Sequence, residues 1–417
     1  MMAKKKLFPL LLALMALLAG CGSGPSAAEG AESPVASEAA DPIQGEQSSQ
    51  ETLPPQEETP PIAEINTWTS MRLINGNQII AQGADGEFAI LDRDGAVKET
   101  LSNCTSIDLV NQNCFAGFCD GTRTLYDLDG TVICTSQAGF SKAVVLQDDP
   151  WDVITYEVVE SLDFGAKTVT HFMRTDTFED ILQIEGDRNQ TMGMLRYDGT
   201  QYLLKQWNAE LNKDIYSTLD GTELPDYQEV DPSAGRAAYM DFMSEQGYRK
   251  STIIGDGIGA LGERDDKGTD IFDSDHNLCA SYDSQIQFSP NTPVGSLALL
   301  ATWTSGAGHQ TGLFDFQTKE FLHVVKGSTV DGSLQPEVIH DIYSQAPSAF
   351  LLKNTSDIHT LVCQNGTLID NVDFPDSFYR SAAGYVLVNS LSENDKHMIV
   401  DVETGEIMSE FQAHLTK

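Results

Sequence analysis

Seven cysteines, eight histidines and a large surplus of carboxylates are the groups in this chain with chemistry to offer. Cys104, Cys114, Cys119 and Cys134 lie close together, whereas Cys279 and Cys363 stand alone. A zinc site would need a second Cys or His pair at ligand spacing, and none follows Cys114 and Cys119. That stretch is expected to hold one or two disulfides, or buried free thiols. The Asp-x-Asp-Gly runs at Asp92/Asp94 and Asp127/Asp129 are fragments of a calcium loop without its further oxygen ligands or its late bidentate Glu. They read as turns that an Asp stabilises. Gly306, Gly308 and Gly312 surround His309, but between two strand-like runs, so no helix N-terminus is there to cradle a phosphate. Gly-x-Ser-x-Gly, His-Glu-x-x-His, phosphate-loop and dinucleotide motifs are all missing. No cofactor and no metal is expected, and no catalytic residue is named. The one catalytic option left open is a carboxylate pair brought together by the fold.

One cysteine has a defined neighbourhood. Lys4, Lys5 and Lys6 form a basic start, and Leu7 to Leu18 is almost continuously apolar. A membrane-spanning helix needs about twenty such residues, so the run is too short to span and fits the apolar core of a secretory signal. It ends in Leu18-Ala19-Gly20-Cys21. This resembles the lipobox of bacterial lipoproteins. The resemblance implies cleavage between Gly20 and Cys21, acyl chains such as palmitate carried on Cys21, and anchoring to the outer, extracytoplasmic face of the cell membrane. Several acyl chains anchor stably where one binds only reversibly. Residues 1–20 are thus expected to be a signal peptide.

Residues 21–62 follow as an acidic linker rich in Pro, Ser and Glu. From Gly22 to Pro61 there is no Lys, Arg or aromatic residue. Such a stretch cannot bury enough apolar surface to offset chain entropy, and it is expected to be disordered. As a coil of about forty residues it would reach roughly 35 Å.

From residue 63 to the end one pattern recurs: a β-rich run, an Asp, a tight turn, and a second β-rich run. Clear copies centre on Asp92-Arg-Asp-Gly95, Asp127-Leu-Asp-Gly130 and Leu219-Asp-Gly221. Weaker ones lie at Asp270–Leu278, Gly312–Lys319, His359–Leu368 and His397–Ile407, with a degenerate copy at His171–Phe178. Two further strand-like runs precede each hairpin, such as Met71–Ile74 and Gln78–Ala81 in the first. Four antiparallel strands per 40–50 residues, repeated, is the pattern of a propeller blade. The fold predicted is therefore all-β: a β-propeller of seven or eight blades, with eight units counted. Asp231 to Gly247 interrupts the pattern as a short helix, capped by Asp231, with Tyr239, Phe242 and Met243 on one face.

His397 to Phe411 (HMIVDVETGEIMSEF) is similar to the alcohol-dehydrogenase-type propeller repeat, although the Trp of that repeat is absent. Asp adjoining Gly also sets these turns apart from the Asp-x-Gly box of sialidases. Lipoproteins of similar architecture imply a scaffold in envelope assembly. The expected function is a binding or scaffolding module for an envelope protein, peptide or glycan. The alternative is a glycan-active hydrolase or lyase with carboxylates in the central pocket. A net charge of −37 argues against nucleic acid and anionic lipid as partners.

Overall fold

Asp92 explains how the repeats fold. It ends a strand, and its Oδ1 accepts from the N–H groups of Asp94 at 3.0 Å and Ala96 at 2.9 Å. Asp127 does the same for Asp129 and Thr131, and Asp273 for Asp275 and Asn277. The carboxylate thus satisfies turn donors that would otherwise need water. The turn then requires a left-handed residue, which Gly95 (φ 78°) and Gly130 (φ 83°) supply without a Cβ clash, while His276 (φ 64°) adopts it where no glycine is present.

The computed structural model describes residues 67–416, apart from 144–148, 163–164, 230–233, 289–291, 305–307, 327–334, 354–358 and 376–378. All belong to one compact unit, Ala63–Lys417. Gly20 and Cys21, with the expected signal peptide and linker, lie outside the described residues.

The described strands fall into successive antiparallel groups. The first holds β1 (Thr67–Asn75), β2 (Gln78–Gly83), β3 (Phe88–Asp92) and β4 (Val97–Leu101). The second holds β5 (Cys104–Asn111), β6 (Cys114–Cys119), β7 (Thr122–Asp127) and β8 (Val132–Ser136). The third holds β9 (Phe140–Lys142), β10 (Ile154–Leu162), β11 (Gly165–Arg174) and β12 (Glu179–Glu185). After the short helix α1 (Arg188–Thr191) comes a fourth group of β13 (Leu195–Tyr197), β14 (Tyr202–Asn208) and β15 (Lys213–Thr218). Helix α2 (Ala234–Glu245) leads to a fifth of β16 (Lys250–Ile254), β17 (Gly259–Glu263), β18 (Thr269–Asp273) and β19 (Leu278–Tyr282). The sixth holds β20 (Ile286–Phe288), β21 (Leu297–Thr304), β22 (Gly308–Asp315) and β23 (Glu320–Lys326). The last sheet contains β24 (Gln335–Asp341), β25 (Pro347–Lys353), β26 (His359–Val362) and β27 (Leu368–Asp373), then β28 (Arg380–Ser381), β29 (Tyr385–Ser390), β30 (Lys396–Asp401) and β31 (Ile407–Gln412). It divides into a seventh and an eighth group, which touch where Val372 pairs Ser390 and where β28 runs parallel to β24, His340 beside Arg380.

Alternate side chains of each group point into the seams between neighbours. Ile74 and Ile90 of the first group meet Ile107 and Phe115 of the second. Leu125 of the second meets Ile154 and Met173 of the third. Val153 and Phe172 meet Leu195 and Tyr202 across the third seam. The pattern resumes between groups five and six, six and seven, and seven and eight. Full burial of each such side chain contributes about 1.5–3 kcal/mol. The chain closes on itself. Met71, Leu73 and Leu91 pack with Leu387, Ile399 and Phe411, and the final strand β32 (His414–Leu415) pairs in parallel with Thr67–Trp68. Antiparallel sheets packed face to face in a ring and closed first to last form a β-propeller.

One expectation needs correction at the fourth group. Its hairpin copy at Asp214–Leu224 yields β15 but no fourth strand, only a bridge between Ser217 and Glu223. The helix expected from Asp231 to Gly247 runs from Ala234 to Glu245; Asp231 lies outside the described residues, and Gly247 (φ 75°) follows the end. Tyr239 and Met243 do share a buried face, packed with Phe242 on Ala260 and Phe272 of the fifth group. The helix thus covers a face that other groups cover with a neighbouring sheet. The degenerate copy at His171 forms a full hairpin, β11–β12, with the left-handed turn position taken by Phe178 (φ 58°).

Candidate functional site

Antiparallel alternation sends the first-to-second and third-to-fourth turns of every group to the same end of the propeller. At that end a cavity of about 330 Å³ opens among groups two, three, seven and eight. Its lining carries five carboxylates, Asp149, Asp152, Asp341, Asp401 and Glu403, and one ammonium, Lys142.

Asp152 is the most buried of the charges on the third group's side. It sits at positive φ (48°), and its carboxylate meets Lys142 Nζ at 2.7 Å, with side-chain exposures of 8% and 12%. Burial pushes the Asp152 carboxyl above its ordinary value, against the pull of Lys142. Its backbone is fixed as well, because the Asp152 carbonyl accepts from Asn111 Nδ2 and Thr175 Oγ1, both at 3.1 Å. Asn111 is fully buried, and its Oδ1 takes the N–H groups of Asn113 at 2.9 Å and Cys114 at 3.1 Å. The neighbouring Asp149 accepts from the N–H of Trp151, Asp152 and Val153 and from the Tyr202 hydroxyl.

Across the cavity, Asp341 is 7% exposed. Its Oδ1 accepts from the N–H groups of Tyr343 at 3.0 Å and Ser344 at 2.9 Å, and its Oδ2 lies 3.4 Å from the Gly384 N–H. Tyr343 donates its hydroxyl to the Ile74 carbonyl at 2.8 Å, joining group seven to group one. Burial drives that phenol well above its usual range. Asp401 Oδ1 accepts from the N–H of Glu403 at 2.8 Å and Thr404 at 2.9 Å. Four of the five carboxylates are therefore committed to turn amides or to Lys142.

The residues singled out from sequence distribute differently. Cys104 and Cys119 are joined by a disulfide across β5 and β6. Cys114, Cys134, Cys279 and Cys363 are free thiols. Burial pushes the Cys134 thiol up to about 11 and Cys363 up to about 12, so neither is a poised nucleophile. Among the described residues no cluster of three or more His, Cys, Asp or Glu could hold a metal. Gly306 lies outside the described residues, and Gly308 and Gly312 lie on β22, between strands. Sequence reasoning singled out none of the cavity residues as a functional group, although Asp401 and Glu403 fall in its His397–Ile407 copy. The signal it passed over is Asp341-Ile-Tyr-Ser344, which repeats the strand-ending Asp-x-x-Ser/Thr turn of Asp401-Val-Glu-Thr404.

No family model matches the chain, and no curated protein is similar to it. Solved structures with some likeness include a eukaryotic initiation factor, 12% identical, with 72% of this chain and 87% of that one covered and a TM-score of 0.27. BamB from Moraxella catarrhalis is 13% identical, with 71% and 84% covered and a TM-score of 0.23. The Cps50 (Swd1) β-propeller domain of Myceliophteria thermophila is 12% identical, with 70% and 94% covered and a TM-score of 0.20. The fold rests on the ladders and seams described above, independently of these likenesses.

Proposed function

We propose that this chain is a lipid-anchored, extracytoplasmic β-propeller of eight blades, one for each strand group, that binds an envelope protein, peptide or glycan without transforming it. The observation that carries the reading is the state of the cavity carboxylates. Asp149, Asp341 and Asp401 hold turns, and Asp152 holds Lys142, which leaves a polar, preformed depression suited to recognition. The anchor rests on Leu18-Ala19-Gly20-Cys21, with the acyl chains on Cys21 and the linker of residues 21–62 setting the distance from the membrane.

The test uses the full chain in detergent, with its melting temperature measured against envelope glycans and peptides. A ligand at a hundred times its Kd stabilises the fold by about 2.7 kcal/mol. The expected result is a shift, with the ligand recovered unchanged and the shift lost in Ala346→Trp, which fills the cavity rim. Recovery of a cleaved glycan would instead establish the hydrolase or lyase alternative. For the anchor, Cys21→Ser should move the protein from the membrane fraction to the soluble one; continued sedimentation with membranes would refute it.

A further inference from the structure

The fourth group differs from all the others at its outer edge. In the rest, the third strand carries a paired fourth strand: β4, β8, β12, β19, β23, β27 and β31. In the fourth, the chain starts such a strand and abandons it. The Thr218 N–H donates to the Thr222 carbonyl at 2.9 Å, and the Leu224 N–H to the Tyr216 carbonyl at 2.7 Å. Then the Leu224 carbonyl accepts from the Tyr227 N–H at 3.2 Å, closing a turn with Pro225 at its second position. Pro favours that position because its φ is already set. The chain leaves the edge there, and Glu229 pairs with Arg196 and Lys205 instead.

The parity of the ladder fixes what remains open. Thr218 and Tyr216 bond outward, so Asp214 is the next residue whose N–H and carbonyl face away from β14. Among the described residues no strand pairs with β15 on that side. Natural edges are blunted by charge, bulges or cover. This one carries Lys213 and Asp214, the latter paired with Lys205 at 3.1 Å, yet it is also flanked by apolar surface. Trp207, directly opposite Asp214 on β14, is 62% exposed, and Leu211 in the adjoining turn is 60% exposed.

We propose that the Lys213–Ile215 edge takes up an extended strand from a partner protein, laid antiparallel to β15 and seated on Trp207 and Leu211. The position is the one that a fourth strand fills in every other group, and backbone pairing at a free sheet edge is an established mode of peptide capture. A net charge of −37 selects a neutral or basic strand over an acidic one. The site lies apart from the cavity, so it stands or falls separately from the cavity reading.

The probe is a displayed library of short linear peptides, panned on the full chain in detergent. Enriched peptides are expected to slow amide hydrogen exchange at Asp214. They should bind about tenfold or more weakly to Asp214→Pro, which removes the outward N–H while sparing the ladder to β14. N-methylation at alternate peptide amides should cost as much. Failure to enrich any peptide would overturn the proposal. So would binding indifferent to both changes, or protection confined to amides elsewhere. If Asp214→Pro does not fold, the exchange map on the unaltered chain and the N-methyl series decide the matter alone.

Discussion

Asp152 and Lys142 form a nearly buried ion pair 2.7 Å apart, and such pairs matter most when one member is lost. Lys142→Met is expected to cost about 3–5 kcal/mol at neutral pH, because it strands a buried carboxylate. The loss has a pH signature. Burial already raises Asp152 above 3.8, so the folded chain holds this proton at a pH where the unfolded chain has released it. The penalty is absent below the unfolded value and grows as pH rises through the folded one. Without Lys142 the folded value climbs further. The stability deficit against the parent chain should therefore shrink from pH 7 to about pH 4, as urea midpoints would measure; a deficit independent of pH would point to lost packing instead. None of this was legible in the sequence. Lys142, Asp152, Asp341 and Asp401 meet only because the ring brings distant groups together, and no local spacing encodes that. Cysteine spacing likewise left the pairing open, and only the register of β5 against β6 sets Cys104 opposite Cys119.

At the scale of the element, the two aspartates of one turn do different work. Asp127 accepts two backbone N–H groups, whereas Asp129 is 74% exposed and pairs with Lys98 at 2.7 Å. Asp127→Ala should cost about 1–2 kcal/mol and Asp129→Ala well under 1, since exposed pairs contribute little. Thermal unfolding of the two variants checks the order. These turns were the most legible feature of the chain, because Asp before a left-handed glycine is a local device with a local cause. Legibility ended where a local signal was outvoted. Asp220-Gly221 marks a turn as good as the others, yet Pro225-Asp226 turns the chain away before a strand can form. Helix α2 was visible from its Tyr239 and Met243 face, but its packing against Phe272 was not.

Over the whole molecule, the seam between the eighth group and the first decides whether the propeller closes. Gly95 lies in that seam, where a Cβ would come 2.5 Å from Phe411 Cδ2; Gly86 has a similar φ but open space around it. Gly86→Ala should cost about 1 kcal/mol from backbone strain alone, and Gly95→Ala about 2–3 once the clash is added. Equal losses, measured by urea unfolding, would mean that Phe411 moves freely and that the seam is loose. Deleting Ile407–Lys417 removes Phe411 and β32, and should replace one sharp melting transition by a broad one with exposed apolar surface. Repeat counting anticipated a ring, because one sheet cannot cover both its faces. It could not anticipate that helix α2 would cover the fifth group's face. The closing pair also sets an order in time. Hairpins within a group join near neighbours and form early, but Thr67 cannot meet His414 until the last residues have been made and delivered. Were the chain exported N-terminus first, as proposed above, it would spend its whole transit with an open seam and its apolar faces uncovered.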